Sequence, residues 1–170
     1  MTWHYEATGS GPPLILLHGP GMSHAAWNAV PPSLCGTPRV IAFDIAGFGL
    51  TPPLSKGTDP TVANLVDGLE RAIHDLAIGV PVDIVGNSLG GTLALEAARR
   101  GIARSVVAIS PAGLWREHPP RHLRHLFRGL RFMTTNFAGP VKAAMRVPWL
   151  RVLFLAVPIS IGSSRMPRRV

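Results

Sequence analysis

Two hydrophobic periods alternate along the first 110 residues, and they predict most of the elements. Short, mainly apolar runs recur at Pro13–Leu17, Arg39–Phe43, Val82–Val85 and Ser105–Ile109. Each has the length and composition of a strand, Val82–Val85 reads as buried, and Pro13–Leu17 as buried on both faces, as in a parallel sheet. Trp3–Thr8 predicts one more strand, turned by Gly9-Ser10-Gly11-Pro12. Between these runs the spacing becomes helical. Val62, Leu65, Val66, Leu69, Ile73 and Leu76 follow one another at helical intervals through Ala77. Thr58-Asp59-Pro60 offers this helix a capping residue before a proline in its first turn. Further helices are expected around His24–Leu34 and over Gly91–Arg99. Strands and helices alternating in this way predict an α/β fold with a doubly wound, mostly parallel sheet.

After Pro111 the pattern changes. Residues 118–157 carry no strand pattern, only Arg-rich helical stretches broken by Pro119, Pro120, Pro140, Pro148 and Pro158. A boundary is therefore expected near residue 115, with a core over 1–115 and a helical, Arg-rich segment with an irregular tail over 116–170. Charge shifts at the same place. Residues 1–100 hold five Lys/Arg against eight Asp/Glu, and residues 101–170 hold twelve against one, for +8 overall. In the basic segment Leu123, Leu126, Phe127, Leu130 and Met133 share one helical face, and Arg121, Arg124, Arg128 and Arg131 the other. A helix that buries its apolar face and keeps its charges in water is the favoured reading. Docking of residues 116–151 on an anionic membrane is the lesser one. No aromatic–basic interleaving supports nucleic-acid binding.

Composition sets further bounds. A chain of 170 residues that is 46% hydrophobic can bury a core and is not disordered. The single Cys35 permits no internal disulfide and no Cys-based zinc site. The first residues lack the basic and apolar regions of a secretory leader. The longest apolar run, Val152 to Ile161, is broken by Pro158 and too short to span a bilayer. A cytoplasmic protein without metal or cofactor is expected.

The candidate chemistry centres on Gly86-Asn87-Ser88-Leu89-Gly90. A serine between an apolar strand and a helix, flanked by glycines, has the pattern of a nucleophile elbow. So tight a turn leaves no room for side chains at 86 and 90, and it forces the serine into a strained backbone conformation.

Two upstream loops complete a resemblance to the α/β-hydrolase fold family. His18-Gly19-Pro20-Gly21 resembles the family's HGxG oxyanion loop. Asp44-Ile45-Ala46-Gly47-Phe48-Gly49-Leu50-Thr51 resembles its D-x-x-G-x-G-x-[S/T] loop, and Gly86–Gly90 its elbow. The resemblance covers about residues 3–115, in the family's order, and begins where the family's second strand would lie. It implies that Ser88 is the nucleophile and that a small apolar substrate is hydrolysed at an ester, thioester or activated C–C bond. It makes the basic helical segment a lid whose apolar face covers the substrate pocket, and Leu89 one oxyanion donor. The other would follow His-Gly, but Pro20 has no N–H, so Gly21 or Met22 is expected to donate through a shifted loop. His18 and Asp44 are expected to brace their loops, with Gly19, Gly47 and Gly49 permitting the turns. A serine rather than a carboxylate at position 88 argues against haloalkane dehalogenase and epoxide hydrolase chemistry.

The family's acid and base follow its later strands, and no position here matches them. Downstream of Ser88 stand Glu96 and Glu117, and His118, His122 and His125. Two readings stay open. One is a serine hydrolase. The other is a truncated, inactive remnant or binding protein, cut after the lid region, whose open sheet edge would pair with another chain.

Overall fold

The computed structural model describes residues 2–30, 38–113 and scattered positions between 125 and 148. The chain divides into two compact units, Met1–Leu114 and Trp115–Val170. The first unit contains strands β1 (Tyr5–Thr8), β2 (Pro13–Leu17), β3 (Arg39–Phe43), β4 (Val82–Asn87) and β5 (Ala103–Ile109). It also contains helices α1 (Val62–Asp75) and α2 (Leu89–Arg99), and a short 3-10 helix at His24–Trp27.

The strands form one sheet in the order β1-β3-β2-β4-β5. β2 lies between β3 and β4 and is parallel to both, with Ile15 opposite Ile41 on one side and Ile84 on the other. β5 runs parallel to β4, whereas β1 is antiparallel to β3, with Tyr5 opposite Phe43. The fold is thus the mostly parallel α/β sheet that the alternating pattern predicts.

Strand alternation supplies two cores. Ile15, Leu17, Ile41, Phe43 and Ile84 face one side. There they pack with Leu65, Val66, Leu69 and Ile73 of α1 and Leu93, Ala94 and Ala97 of α2. Leu16, Val40 and Ala42 face the other side, where Trp27 covers them. Each large aliphatic side chain buried this way contributes about 1.5–3 kcal/mol. The Trp27 indole N–H is buried and finds no acceptor among the described residues.

Several boundaries differ from expectation: β4 runs on to Asn87, β5 starts at Ala103 and α2 at Leu89. β1 begins at Tyr5, and Trp3 before it is buried in the core, its ring edge-on to Phe43 at 6.0 Å. Gly68 of α1 gives that indole room, since a Cβ there would lie 3.1 Å from it. α1 is capped by Thr61 rather than Thr58, the Thr61 hydroxyl accepting from Asn64 N–H at 3.2 Å. Pro60 disfavours a helical backbone at Asp59, so the next hydroxyl caps instead. Among the described residues 24–30 the segment after Ser23 forms the 3-10 turn and no α-helix, consistent with Pro31 disfavouring helix at Val30. Residues 31–37, including Cys35, lie outside the described residues.

In the second unit the described positions include helical turns. Phe137 N–H donates to the Met133 carbonyl at 2.9 Å, and the Phe132 and Phe137 rings meet edge-to-face at 6.0 Å. Most of the two expected helical faces, with Glu117, His118, His122 and the tail, lies outside the described residues. Among the described residues no helix is long and apolar enough to cross a membrane.

Candidate active site

The carboxyl ends of β2, β3 and β4 bring the three loops together. β4 ends at Asn87, and Ser88 turns the chain into α2 with φ 52° and ψ −112°. A non-glycine residue rarely adopts this backbone, which stores strain of about 1–3 kcal/mol. Its neighbours hold it there. Ser88 N–H donates to the Ile109 carbonyl at 2.9 Å. The Ser88 carbonyl accepts from Thr92 N–H at 3.1 Å and Ala112 N–H at 3.2 Å. The Thr92 hydroxyl lies within reach of both the Ser88 and Ala112 carbonyls. The residues just past β5 therefore clamp the corner, and Ser88 itself stays half-buried.

The flanking glycines answer two separate constraints. A Cβ at Gly86 would overlap the Gly90 backbone, and one at Gly90 would overlap the Leu17 and His18 carbonyls. α2 thus starts directly on the end of β2, and Gly90 N–H donates to the His18 carbonyl at 3.2 Å.

The His18–Met22 loop stands beside the serine. A Cβ at Gly19 would lie 3.4 Å from Ser88 Cβ. Gly19–Met22 closes a turn in which Met22 N–H donates to the Gly19 carbonyl at 3.3 Å. Pro20 in second place and Gly21 at φ 75° in third give it a type II signature. Met22 N–H is therefore spent within the turn. Gly21 N–H and Leu89 N–H have no acceptor among the described residues. Leu89 is also the first residue of α2, where the helix dipole favours negative charge.

His18 is buried, and both ring nitrogens are engaged. Nδ1 lies 2.6 Å from the Gly19 carbonyl, and Nε2 accepts from Ile45 N–H at 3.1 Å. A carbonyl on one side and an N–H on the other place the proton on Nδ1 of a neutral ring. Burial pushes its pKa below 6.5, opposed by the Gly19 carbonyl and Asp44. With no free lone pair, His18 ties the oxyanion-type loop to the loop after β3 and is not a base for Ser88.

Asp44 performs the corresponding task for its own loop. It is fully buried. Its Oδ1 accepts from His24 N–H at 2.6 Å and lies 2.9 Å from His24 Nδ1, while Oδ2 accepts from Leu50 N–H at 2.8 Å. Burial alone would raise its pKa, but the N–H donors of Leu50 and His24, with the His24 ring, outweigh it and hold it below 3.8. Gly49, at φ 54°, passes so close to this carboxylate that any side chain there would overlap it. Gly47, at φ 86°, makes the other left-handed turn of the loop. Thr51 closes it, its hydroxyl donating to the Asp44 carbonyl at 2.7 Å and accepting from His4 N–H at 2.8 Å.

Glu96 is bound by Arg99 and then Arg100, and its pKa falls to about 2. Arg100 also reaches Asp67 of α1 at 2.5 Å. Glu96 therefore braces Arg100, which ties α2 to α1, and it stands roughly 12 Å along α2 from Ser88 by helical rise. Sequence reasoning missed two contributors, His24 and Thr51. Thr51 had a signal in the terminal [S/T] of its loop motif. His24 had none, since its partner lies 20 residues away.

An elbow, a His-Gly loop beside it and an Asp-anchored glycine loop, on a mostly parallel sheet, define the α/β-hydrolase class. The chain belongs to the alpha/beta hydrolase family, which its residues 14–165 match. It is similar to the pimeloyl-[acyl-carrier protein] methyl ester esterase of Methylococcus capsulatus, 40% identical over 55% of this chain and 34% of that enzyme. It is also similar to the 2-hydroxy-6-oxo-2,4-heptadienoate hydrolase of Pseudomonas putida, 40% identical over 54% of this chain and 34% of that one. Among solved structures, the meta-cleavage product hydrolase of Pseudomonas fluorescens IP01 superposes with a TM-score of 0.58 at 35% identity, over 65% of this chain and 42% of that one. The chain spans about a third of the length of the two enzymes named first.

Proposed function

We propose that Ser88 is the nucleophile of a hydrolase that opens an ester, thioester or activated C–C bond of an apolar small molecule. One observation carries this reading. Ser88 sits at a strained, backbone-clamped corner with Gly19 against its Cβ, so the serine and the two unengaged N–H groups of Gly21 and Leu89 belong to one end of the sheet. In the proposed reaction the Ser88 hydroxyl loses its proton to a base and its oxygen attacks the carbonyl carbon. The oxygen that becomes negative is received by Leu89 and Gly21 N–H. The intermediate collapses as the protonated base gives its proton to the departing group, and water, losing a proton to the same base, then hydrolyses the acyl-enzyme to the free acid and the Ser88 hydroxyl. The names of the relatives, a methyl ester esterase and a hydrolase of 2-hydroxy-6-oxo-2,4-heptadienoate, which has no ester to hydrolyse, support acyl and C–C chemistry of this kind.

The test is labelling with a fluorophosphonate probe, read by intact mass and peptide mapping. The wild-type chain should gain one label at Ser88, and Ser88→Ala should gain none. An unlabelled wild type, under conditions that label an ordinary serine esterase, overturns the proposal, as does a label retained by Ser88→Ala.

A further inference from the structure

We propose that the cleft between the Ser55–Thr58 turn and α1 is a binding site for a small hydroxylated carboxylate, of the sugar-acid class, with Arg71 as its anchor. The cleft lies within the first unit and is separate from the residues gathered around Ser88. It is assembled from Trp3 ahead of β1, from the stretch that continues the Asp44–Thr51 loop, and from α1.

Two cavities make up the cleft, and Ser55, Thr58 and Arg71 line both. Trp3 and Gly68 help to complete the smaller, of about 50 Å³. Asn64 and Asp67 complete the larger, of about 340 Å³, at the small end of the range for ligand sites. The rim is held in place by hydrogen bonds. Thr58 N–H donates to the Ser55 carbonyl at 2.9 Å, and Asn64 Nδ2 donates to the Asp59 carbonyl at 2.9 Å, which ties the end of the turn to α1. Trp3 is buried, and the indole edge that carries its N–H lies at Gly68, 3.1 Å from where a Cβ would stand. The smaller cavity is therefore lined by donors, namely the guanidinium, two hydroxyls and this indole, and by no carboxylate.

Charge assigns the ligand. Arg71 has a carboxylate four residues away in each direction along α1, at Asp67 and Asp75, the spacing at which helical ion pairs form. Among the described residues it pairs with neither, and Arg100 takes Asp67 Oδ1 at 2.5 Å instead. With Asp67 matched by Arg100, the guanidinium of Arg71 is the one unmatched charge among the residues that line the cleft. A single guanidinium suits a single carboxylate, to which it can offer two parallel N–H groups. A phosphate dianion would bring a second negative charge beside Asp67 with no cation to meet it. In the larger cavity Asp67 Oδ2 and the Asn64 side-chain oxygen are acceptors, and they suit hydroxyl groups. An ammonium gains less there, because Arg100 already meets the charge of Asp67. A ligand in place would tie the stretch after the Asp44–Thr51 loop to α1.

The experiment titrates the full chain with sodium gluconate at constant ionic strength and follows the Trp3 indole N–H and the amides of residues 55–71 by two-dimensional 15N NMR. Glucose and glucose 6-phosphate are titrated in parallel. Arg71 and Lys56 are exposed, so Arg71→Gln and Lys56→Gln should unfold at the wild-type temperature. Gluconate should give saturable shifts at the Trp3 indole and in the Ser55–Thr58 turn. Arg71→Gln should weaken its binding at least about tenfold, by loss of a charged hydrogen-bonding partner. Lys56→Gln, altered on the turn but outside the cleft lining, should bind as the wild type does. Glucose, without the carboxylate, and glucose 6-phosphate, with a phosphate in its place, should both bind more weakly than gluconate. No saturable shift with gluconate would overturn the proposal. Equal losses in Arg71→Gln and Lys56→Gln would overturn it too, as diffuse attraction to a basic surface. Binding of glucose or glucose 6-phosphate as tight as that of gluconate would refute the assignment of a monoanionic carboxylate.

Discussion

Replacing Gly90 by alanine tests the contact on which the elbow is built. In an ordinary helix this change would help, by up to about 1 kcal/mol. Here the new methyl would overlap the Leu17 and His18 carbonyls at the end of the central strand. Both atoms belong to backbone, so no side-chain rotation relieves the clash. Forcing one methyl into such a contact costs about 1–3 kcal/mol. Parting α2 from β2 also weakens the Gly90 N–H to His18 carbonyl bond, for roughly 1 kcal/mol more. Allowing for the helical gain, the net loss should be about 2 kcal/mol, or a fall of about 8 °C in Tm for a unit of this size. Urea and thermal unfolding of Gly90→Ala, set beside Gly79→Ala, provide the assay. A Cβ at Gly79, in the loop before β4, meets nothing within 4 Å, so that variant shows the change where neither clash nor helical gain applies. If Gly90→Ala unfolds within about 0.5 kcal/mol of Gly79→Ala, α2 does not start against β2 as described, and the argument for the elbow fails.

The strain at Ser88 has its own signature. Glycine normally lowers stability relative to alanine, but at φ 52° the order should invert, with Ser88→Gly more stable than Ser88→Ala by about 1 kcal/mol in urea unfolding. The usual order would mean that the corner is unstrained. Acid should act through the two loop pins in separate windows. His18 has a folded pKa below its unfolded value of 6.5, so its stabilisation is complete above 6.5 and is lost as pH falls through the folded value. The pH dependence of Tm below 6.5 should therefore flatten in His18→Gln, and an unchanged profile would show that the ring is not held neutral. Asp44 is depressed below 3.8, so its contribution is present above that value and is lost on further acidification. Asp44→Asn should destabilise the protein at neutral pH by about 2 kcal/mol and narrow the gap to wild type below pH 3.8. A constant gap across that range would refute the role given to the carboxylate.

The strands were legible because each is a short apolar run, and the ends of β2 and β3 fall where the runs end. The elbow was legible for a related reason. Only glycine fits at 86 and 90, so the steric demand is written into residue type. Helix boundaries were less legible, since they depend on which hydroxyl is free to cap once a proline has excluded its neighbour, as at Thr61. The oxyanion-type loop was legible only in part. The proline at position 20 announced a missing donor, but the backbone turn alone shows that Met22 N–H is consumed by Gly19.

By itself, then, the sequence determined the α/β class, the order of the three loops and the serine at the corner. These follow from hydrophobic period and from glycine sterics, both of which act over a few residues. Only the tertiary structure decided the partners of His18 and Asp44 and the placing of His24 between Asp44 and Glu6. Such contacts depend on strand order and register. The sheet sets β1 against β3 and β2 beside both β3 and β4, and no local pattern in the chain encodes which side chains that arrangement brings within reach.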